Sequence, residues 1–376
     1  MPGSYFEYTV SMLYSHISCD TFRGMKTNNT PYSLISQYRT PLMGLATLWV
    51  MYNHAMLLGL TATQEPFRFL QLAAHISVDI FFMLSGFGLY HSLSRNTTKD
   101  YFLKRLGKLM PVWGSFLLAH IIIDKMVFGL TFSLKEIIGF LTFQGFRAQL
   151  GNQGNWYVYT IFLYYLIAPI PFSFLKESKH KLTTCGILCA VSWIAAYSYF
   201  GNRDLLITFI RIPAFLLGMY MASGDEVTKK EFSKKALAIC LGITAVFGTI
   251  HFFVLSNCSV DVLWDYGLWW HALIPMTVPF SLLICRLFAL TKNPKSLLLK
   301  PLELIGAASL EIFLAHLYIF KYWGEITGIL LQKSVGFRIA VFFASILIGL
   351  VWHALIKICS GLVSQIFSHP SEKTSK

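Results

Sequence analysis

The feature that most constrains this chain is a series of apolar runs, each near the ~20 residues that cross a bilayer as a helix. Residues 41–60, 71–93, 156–174, 237–255 and 339–358 are examples. Membrane-spanning strands are about half as long and alternate in character, so the runs are read as helices. Taken in order they predict ten spans, at 40–60, 71–93, 109–129, 155–174, 182–200, 205–223, 236–255, 264–286, 301–322 and 338–359. Composition points the same way. Apolar residues make up 55% of the chain and charged residues 13%, about half the charged share of a soluble domain. The expected fold is all-α: a polytopic integral membrane helical bundle of about ten transmembrane helices.

The net charge of +13 invites a nucleic-acid reading, but its distribution excludes one. One set of connections holds Arg95, Lys99, Lys104, Arg105 and Lys108, then Lys176, Lys179 and Lys181, then Lys229, Lys230, Lys234 and Lys235, then Lys292, Lys295 and Lys300. The opposite set holds only Arg68, Lys135, Arg147, Arg203 and Lys333. Short cytoplasmic loops collect Lys and Arg, so both termini are expected in the cytoplasm. The charge is topological, with some attraction to anionic lipid; membrane lipid, not nucleic acid, is the expected partner.

Three segments are expected: a cytoplasmic N-terminal segment at 1–38, one transmembrane domain at 39–360, and a cytoplasmic tail at 361–376. Residues 1–38 lack the charged start, apolar core and small-residue cleavage site of a secretory signal, so the first span is expected to serve as the insertion signal. Residues 99–110 read as a basic helix on the inner leaflet, with Tyr101, Phe102, Leu106 and Leu109 facing lipid. Residues 133–146 read as an outer re-entrant or interfacial helix, whose place beside the Gly- and Asn-rich run 151–155 suggests a lid or mouth. The seven cysteines show neither a disulfide framework nor metal spacing.

Ionisable groups inside spans are costly and default to function. By a rise of 1.5 Å per residue, His54, Asp79, Arg211 and His316 all fall within roughly 12 Å of the outer boundary, with Glu311 in reach of the same layer. A His beside a carboxylate is the arrangement of a general base, because the carboxylate fixes the tautomer and stabilises the imidazolium. Such a base beneath the outer surface is suited to deprotonating a hydroxyl, with Arg211 steadying an oxyanion or a phosphate. Each residue also has a plain reading. A lone membrane His joins helices as often as it catalyses, Asp79 can bridge helices, and Glu311 and His316 can pair with each other. His75, His120, His251, His271 and His353 read as interfacial or packing residues, and Gly86 and Gly88 as points of close helix approach.

Several runs resemble the membrane acyltransferase-3 family. Ser77-Val78-Asp79-Ile80-Phe81-Phe82-Met83-Leu84-Ser85-Gly86-Phe87 resembles its second-helix signature. Met43-Gly44-Leu45-Ala46 followed by Asn53-His54-Ala55 resembles its first helix, and Tyr101 through Pro111 its basic motif, here Arg105 and Lys108. Trp156-Tyr157 through Tyr165 and Pro169, Arg211 through Gly218, and Ser309 through His316 resemble later landmarks, in the right order from about 38 to 360. The resemblance implies an O-acyltransferase that moves an acyl group, usually acetyl, from cytoplasmic acyl-CoA to a hydroxyl of a cell-surface or lipid-linked carbohydrate. It implies His54 as the essential residue, a bacterial inner or plasma membrane, no bound cofactor, and acetyl-CoA or another acyl-CoA as co-substrate.

One position departs from the family. A basic residue is expected eleven positions before that His, where this chain has Met43; Arg39 lies one helical turn earlier. On this reading Arg39, Arg105 and Lys108 hold the donor, since three phosphates need several cations. His54 acts with Asp79, Arg211, Glu311 and His316 shape the acceptor side, and Trp156 and Tyr157 offer faces to a sugar ring. Two other classes fit the same pattern: a transporter or flippase of a lipid-linked sugar, and a non-catalytic relative.

Overall fold

A computed structural model of the chain describes residues 29–141, 156–198, 203–291 and 296–368. Among these, every regular element is helical. The chain opens with α1 (Pro31–His54), continued by a 3-10 turn at Ala55–Leu58. Then come α2 (Phe67–Ala73), α3 (Ile76–Arg95), α4 (Thr98–Phe128) and α5 (Leu134–Leu141). The middle of the chain forms α6 (Trp156–Ile167), α7 (Pro169–Glu177), α8 (Lys181–Tyr197), α9 (Arg203–Ile210), α10 (Ile212–Ala222) and α11 (Glu226–Lys229). The last part forms α12 (Lys234–Asn257), α13 (Val260–Asp265), α14 (Leu268–Ala289), α15 (Lys300–Ala307) and α16 (Ser309–Leu317). A π-helical segment (Tyr318–Ile326) and α17 (Val335–Ser368) follow.

Six of these stretches are long and apolar enough to cross a membrane, and two bent pairs bring the number to eight. The pairs are α6 with α7, bent by 45°, and α15 with α16 and the π-helical segment, bent by 71°. Of the ten expected runs, the two outside this set are those of α1 and α8. α8 has only 17 residues. In α1 the first turns are polar (Ser33, Ser36, Gln37, Arg39, Thr40), and beyond His54 the chain makes a single 3-10 turn ended by Gly59 at φ 66°. α1 is nevertheless at the heart of the bundle, packed on α3, α14 and α15.

Local chemistry explains its shape. Thr30 and Ser33 form a reciprocal capping box ahead of Pro31 at the first helical position. Pro41 cannot donate to the carbonyl four residues back and its ring crowds that turn, and the helix bends at Tyr38 (φ −104°, ψ 15°). Polar hooks fix its other end. Buried Gln71 donates from Nε2 to the carbonyls of Tyr52 and Leu60, at 2.8 and 3.0 Å, and accepts from the Ala62 N–H. Asn53 Nδ2 in turn donates to the Gln71 carbonyl.

Two helix crossings bring backbone against backbone. A Cβ on Gly218 of α10 would fall on the Met83 carbonyl of α3, and one on Gly86 on the Phe215 carbonyl. The α1–α15 crossing is built the same way from Gly44 and Gly306. Small residues at such crossings admit the dispersion contact that drives helix association in lipid. Gly218→Val is therefore expected to cost more than the ~1–3 kcal/mol of ordinary overpacking, because the obstacle is main chain. Gly114→Ala, which meets nothing within 4 Å, is the control. Abundance of monodisperse protein in detergent should fall for the first and not for the second.

Two expectations are corrected. The basic run 99–110 is not a separate surface helix: α4 is a continuous helix of 31 residues that carries Pro111 inside it. Tyr101 and Leu109 face protein and not lipid, with exposures of 0% and 3%, since the Tyr101 hydroxyl donates to the Tyr165 carbonyl. In the stretch 133–146, expected as an interfacial helix and lid or mouth, α5 occupies Leu134–Leu141; the rest of that stretch and the run 151–155 lie outside the described residues.

Candidate active site

α1 delivers His54 at its last turn, and α16 delivers His316 at its own. His54 Nδ1 lies 2.9 Å from His316 Nε2, with ring planes inclined by 25°. His316 Nδ1 lies 2.8 Å from the Ile312 carbonyl. A carbonyl only accepts, so His316 carries its proton on Nδ1, and in the neutral ring Nε2 is then an acceptor. His54 must donate to it from Nδ1. The lone pair of His54 is thereby left on Nε2, which has no hydrogen-bond partner among the described residues. A backbone carbonyl thus sets the tautomer of His54 through an intervening imidazole. Phe313 and Phe320 pack around the pair, with Phe313 6.4 Å from the His54 ring and Phe320 5.3 Å from His316.

Asp79 makes no hydrogen bond with His54. It is fully buried and faces Arg211 of the α9–α10 junction at 3.6 Å. Neither Asp79 oxygen, nor Arg211 Nε or Nη1, makes a hydrogen bond. Arg211 lies over the rings of Trp156 and Trp270, at 5.2 and 4.8 Å. Tyr157 stacks on Phe82 and packs on Phe313, at 5.4 and 5.0 Å. The two aromatics expected to receive a sugar are therefore engaged by protein groups. Glu311 pairs with His353 of α17 at 2.7 Å and not with His316.

At the other end of α1 the expected cations gather. Arg39 and Arg105 both leave a buried Nε without a hydrogen-bond partner, and Arg105 lies 5.9 Å over the Tyr101 ring. Arg39, Arg105 and Lys108 are within electrostatic reach of one another, and no carboxylate pairs with any of them among the described residues. Gly88 makes room for Arg39, since a Cβ there would lie 2.7 Å from Nη2; this glycine seats a side chain where Gly86 seats a helix. Met43 packs half-buried against the apolar core. Arg39 and His54 are 15 residues apart, ~22 Å along the helix.

Sequence reasoning missed three features. Gln71 fixes the loop beyond His54, and a glutamine inside an apolar run was its signal. Lys321, half-buried in the π-helical segment, is within electrostatic reach of His54; π-helical stretches cluster at functional sites, but nothing in the sequence marks one here. The third is a buried triad: His120 Nε2 lies 2.8 Å from Asp124, whose other oxygen accepts from the Tyr318 hydroxyl at 2.6 Å. It ties α4 to the π-helical segment. Among the described residues no group of three His, Cys, Asp or Glu side chains is placed to hold a metal ion.

Neither the curated proteins nor the solved structures contain a match to this chain. A family model does match: acyltransferase-3, described as an acyltransferase domain, aligns with residues 42–354. That span runs from the first helix through His54, Asp79, the basic turns of α4, Arg211 and His316 to His353. The chain is a membrane protein that belongs to the acyltransferase-3 family.

Proposed function

We propose that this protein is a membrane O-acyltransferase that moves an acyl group, acetyl in the simplest case, from acyl-CoA to a carbohydrate hydroxyl, with His54 as general base. The observation that carries the reading is the Ile312 carbonyl–His316–His54 chain, which leaves Nε2 of His54 as a free acceptor. The end of the bundle with Arg39, Arg105 and Lys108 faces the cytoplasm, as the Lys and Arg bias of the loops requires. Both termini are on that side, in a bacterial inner or plasma membrane.

The donor's phosphates lie on the three cations, and its pantetheine arm runs along α1 to bring the thioester to His54. The acceptor hydroxyl gives its proton to His54 Nε2 as its oxygen adds to the thioester carbonyl. Lys321 is the cation at hand for the oxyanion that forms. Collapse breaks the C–S bond, and the CoA thiolate takes the proton back from His54, giving ester and free CoA. During this cycle the His54 imidazolium keeps its Nδ1–H on the neutral His316.

The test is transfer of labelled acetyl from acetyl-CoA to surface glycan in membranes that hold wild type or His54→Ala at matched abundance. Loss of a positioned general base is worth ~10²–10⁴-fold, so the variant should fall to background. Equal transfer by both would remove His54 from the chemistry.

A further inference from the structure

Next to the His54 end of α1 the structure contains a cavity of about 370 Å³, within the ~300–1,000 Å³ range of small-molecule sites. Its walls are mostly apolar, with Met56, Leu72, Leu255, Leu263 and Trp269 among them. Cys258 adds a half-buried thiol, which behaves as a small apolar group. Gln71 also borders the cavity, but its polar atoms are spent. Its Nε2 donates to the carbonyls of Tyr52 and Leu60, and its Oε1 accepts from the Ala62 N–H. The remaining polar lining residues, Thr61, Arg68 and Ser259, are exposed and form the rim, where Arg68 has Glu65 for a partner at 3.8 Å.

Such walls suit a hydrocarbon chain, and the cavity's position says which one. Met56, in the 3-10 turn that continues α1, is two residues beyond His54 and is part of the cavity wall. On the donor path proposed above, the phosphates sit at the Arg39 end, then come the pantetheine arm and the sulfur, with the thioester carbonyl at His54. The acyl chain leaves that carbonyl on the side away from the sulfur. Beyond His54, in the direction in which α1 runs, the chain meets the Met56 turn and the cavity it borders. A methionine side chain is unbranched and adapts to irregular shapes, so this wall can yield to chains of different length. An apolar cavity of ~150 Å³ takes a six-carbon ring, and on that scale this one has room for roughly eight to twelve carbons. An acetyl group, with a single methyl beyond its carbonyl, would leave it almost unfilled. A tail of a bilayer lipid is the poorer match: an exposed Arg68 beside Glu65 sets the rim among headgroups or water and not in hydrocarbon.

We propose that this cavity is an acyl-chain pocket, and that it selects a medium-chain acyl group of about eight to twelve carbons over acetyl. The proposal rests on the acyl-transfer reading, whose donor it narrows to a medium-chain acyl-CoA. The bonds made and broken at His54 are those of the transfer described above; only the chain carried differs. Each methylene that leaves water for the pocket is worth up to ~4-fold in affinity, and the gain stops when the cavity is full.

The experiment uses the purified full chain in lipid nanodiscs, because detergent tails would compete for an apolar cavity. Binding of acetyl-, butyryl-, octanoyl- and dodecanoyl-CoA is read as displacement of labelled CoA, with each kept below its micellar concentration. Wild type should bind octanoyl-CoA at least ~10-fold more tightly than acetyl-CoA. Ala62→Trp puts an indole into the cavity from its loop wall and should bring that ratio down to about 1. Leu255→Ala enlarges the cavity and should move the tightest-bound chain to a longer one, a gain that a damaged fold would not produce. Equal ratios in wild type and Ala62→Trp overturn the pocket and leave the cavity to a bilayer lipid or to a tail of the acceptor. Acetyl transfer that depends on His54, with no preference for chain length in wild type, overturns the pocket alone. The expected preference, with no acyl group transferred by wild type, supports the pocket and overturns acyl transfer, so the two failures are distinct.

Discussion

Replacing His316 by Ala is expected to cut acyl transfer by ~10²-fold or more while leaving acyl-CoA binding unchanged. His316 touches no substrate in the proposed chemistry; it acts on His54. Its Nε2 takes the Nδ1–H of His54, and its own Nδ1–H is anchored on the Ile312 carbonyl. Without it the His54 ring is free to rotate and to hold its proton on either nitrogen, and the imidazolium formed in the reaction has no acceptor. A glutamine amide oxygen reaches about as far as the Nε2 of histidine and also accepts from His54, so His316→Gln should recover much of the loss. The measurement is a pair of saturation curves, one in acyl-CoA and one in acceptor, for the two variants. A role confined to holding α16 in place would instead lower both variants alike and shift both KM values.

The second large effect is on stability. Asp79→Ala leaves the Arg211 guanidinium, 1% exposed, with no carboxylate beside it. Breaking one side of a buried pair costs ~3–5 kcal/mol. The rings of Trp156 and Trp270 remain over Arg211, and each such contact returns ~0.5–2 kcal/mol. These contacts are already present in the wild type and so offset nothing new. A lowered unfolding midpoint in detergent is the expected result. The double variant Asp79→Leu with Arg211→Met removes both charges and should regain most of the stability, because well-packed apolar replacements for a buried pair are often neutral. If the double variant is as unstable as the single one, the two residues do not act as a charge pair.

The helical, membrane-spanning nature of the chain was legible because lipid admits few alternatives, and the family signature was legible because it is a long contiguous run. Two of the expected residues meet two others, His54 with His316 and Asp79 with Arg211. Partner choice was not legible, because rise along a helix says nothing of rotation about it. His316 and Glu311 are five positions apart on one helix, about 140° around the axis, so one faces His54 and the other faces His353 on α17. The same blindness hid Tyr101 and Leu109 in protein and left His120 and His353 with packing roles, although each turned out to hold a carboxylate. Arg39 is the opposite case. It was singled out because the family resemblance implies a basic residue at Met43, one helical turn away, and it lies within electrostatic reach of Arg105 and Lys108.

The two glycine crossings bear on how such a molecule works as a machine. At Gly86 and Gly218, and again at Gly44 and Gly306, main chain rests on main chain with no side chain between to act as a bearing. α1, which carries His54, is joined in this way to α15, and α3, which carries Asp79, to α10. Sliding within either pair would lift main chain off main chain, so each pair behaves as one two-helix block. On the acyl-transfer reading the acyl group travels, while His54 and Asp79 each keep their place in their own two-helix block.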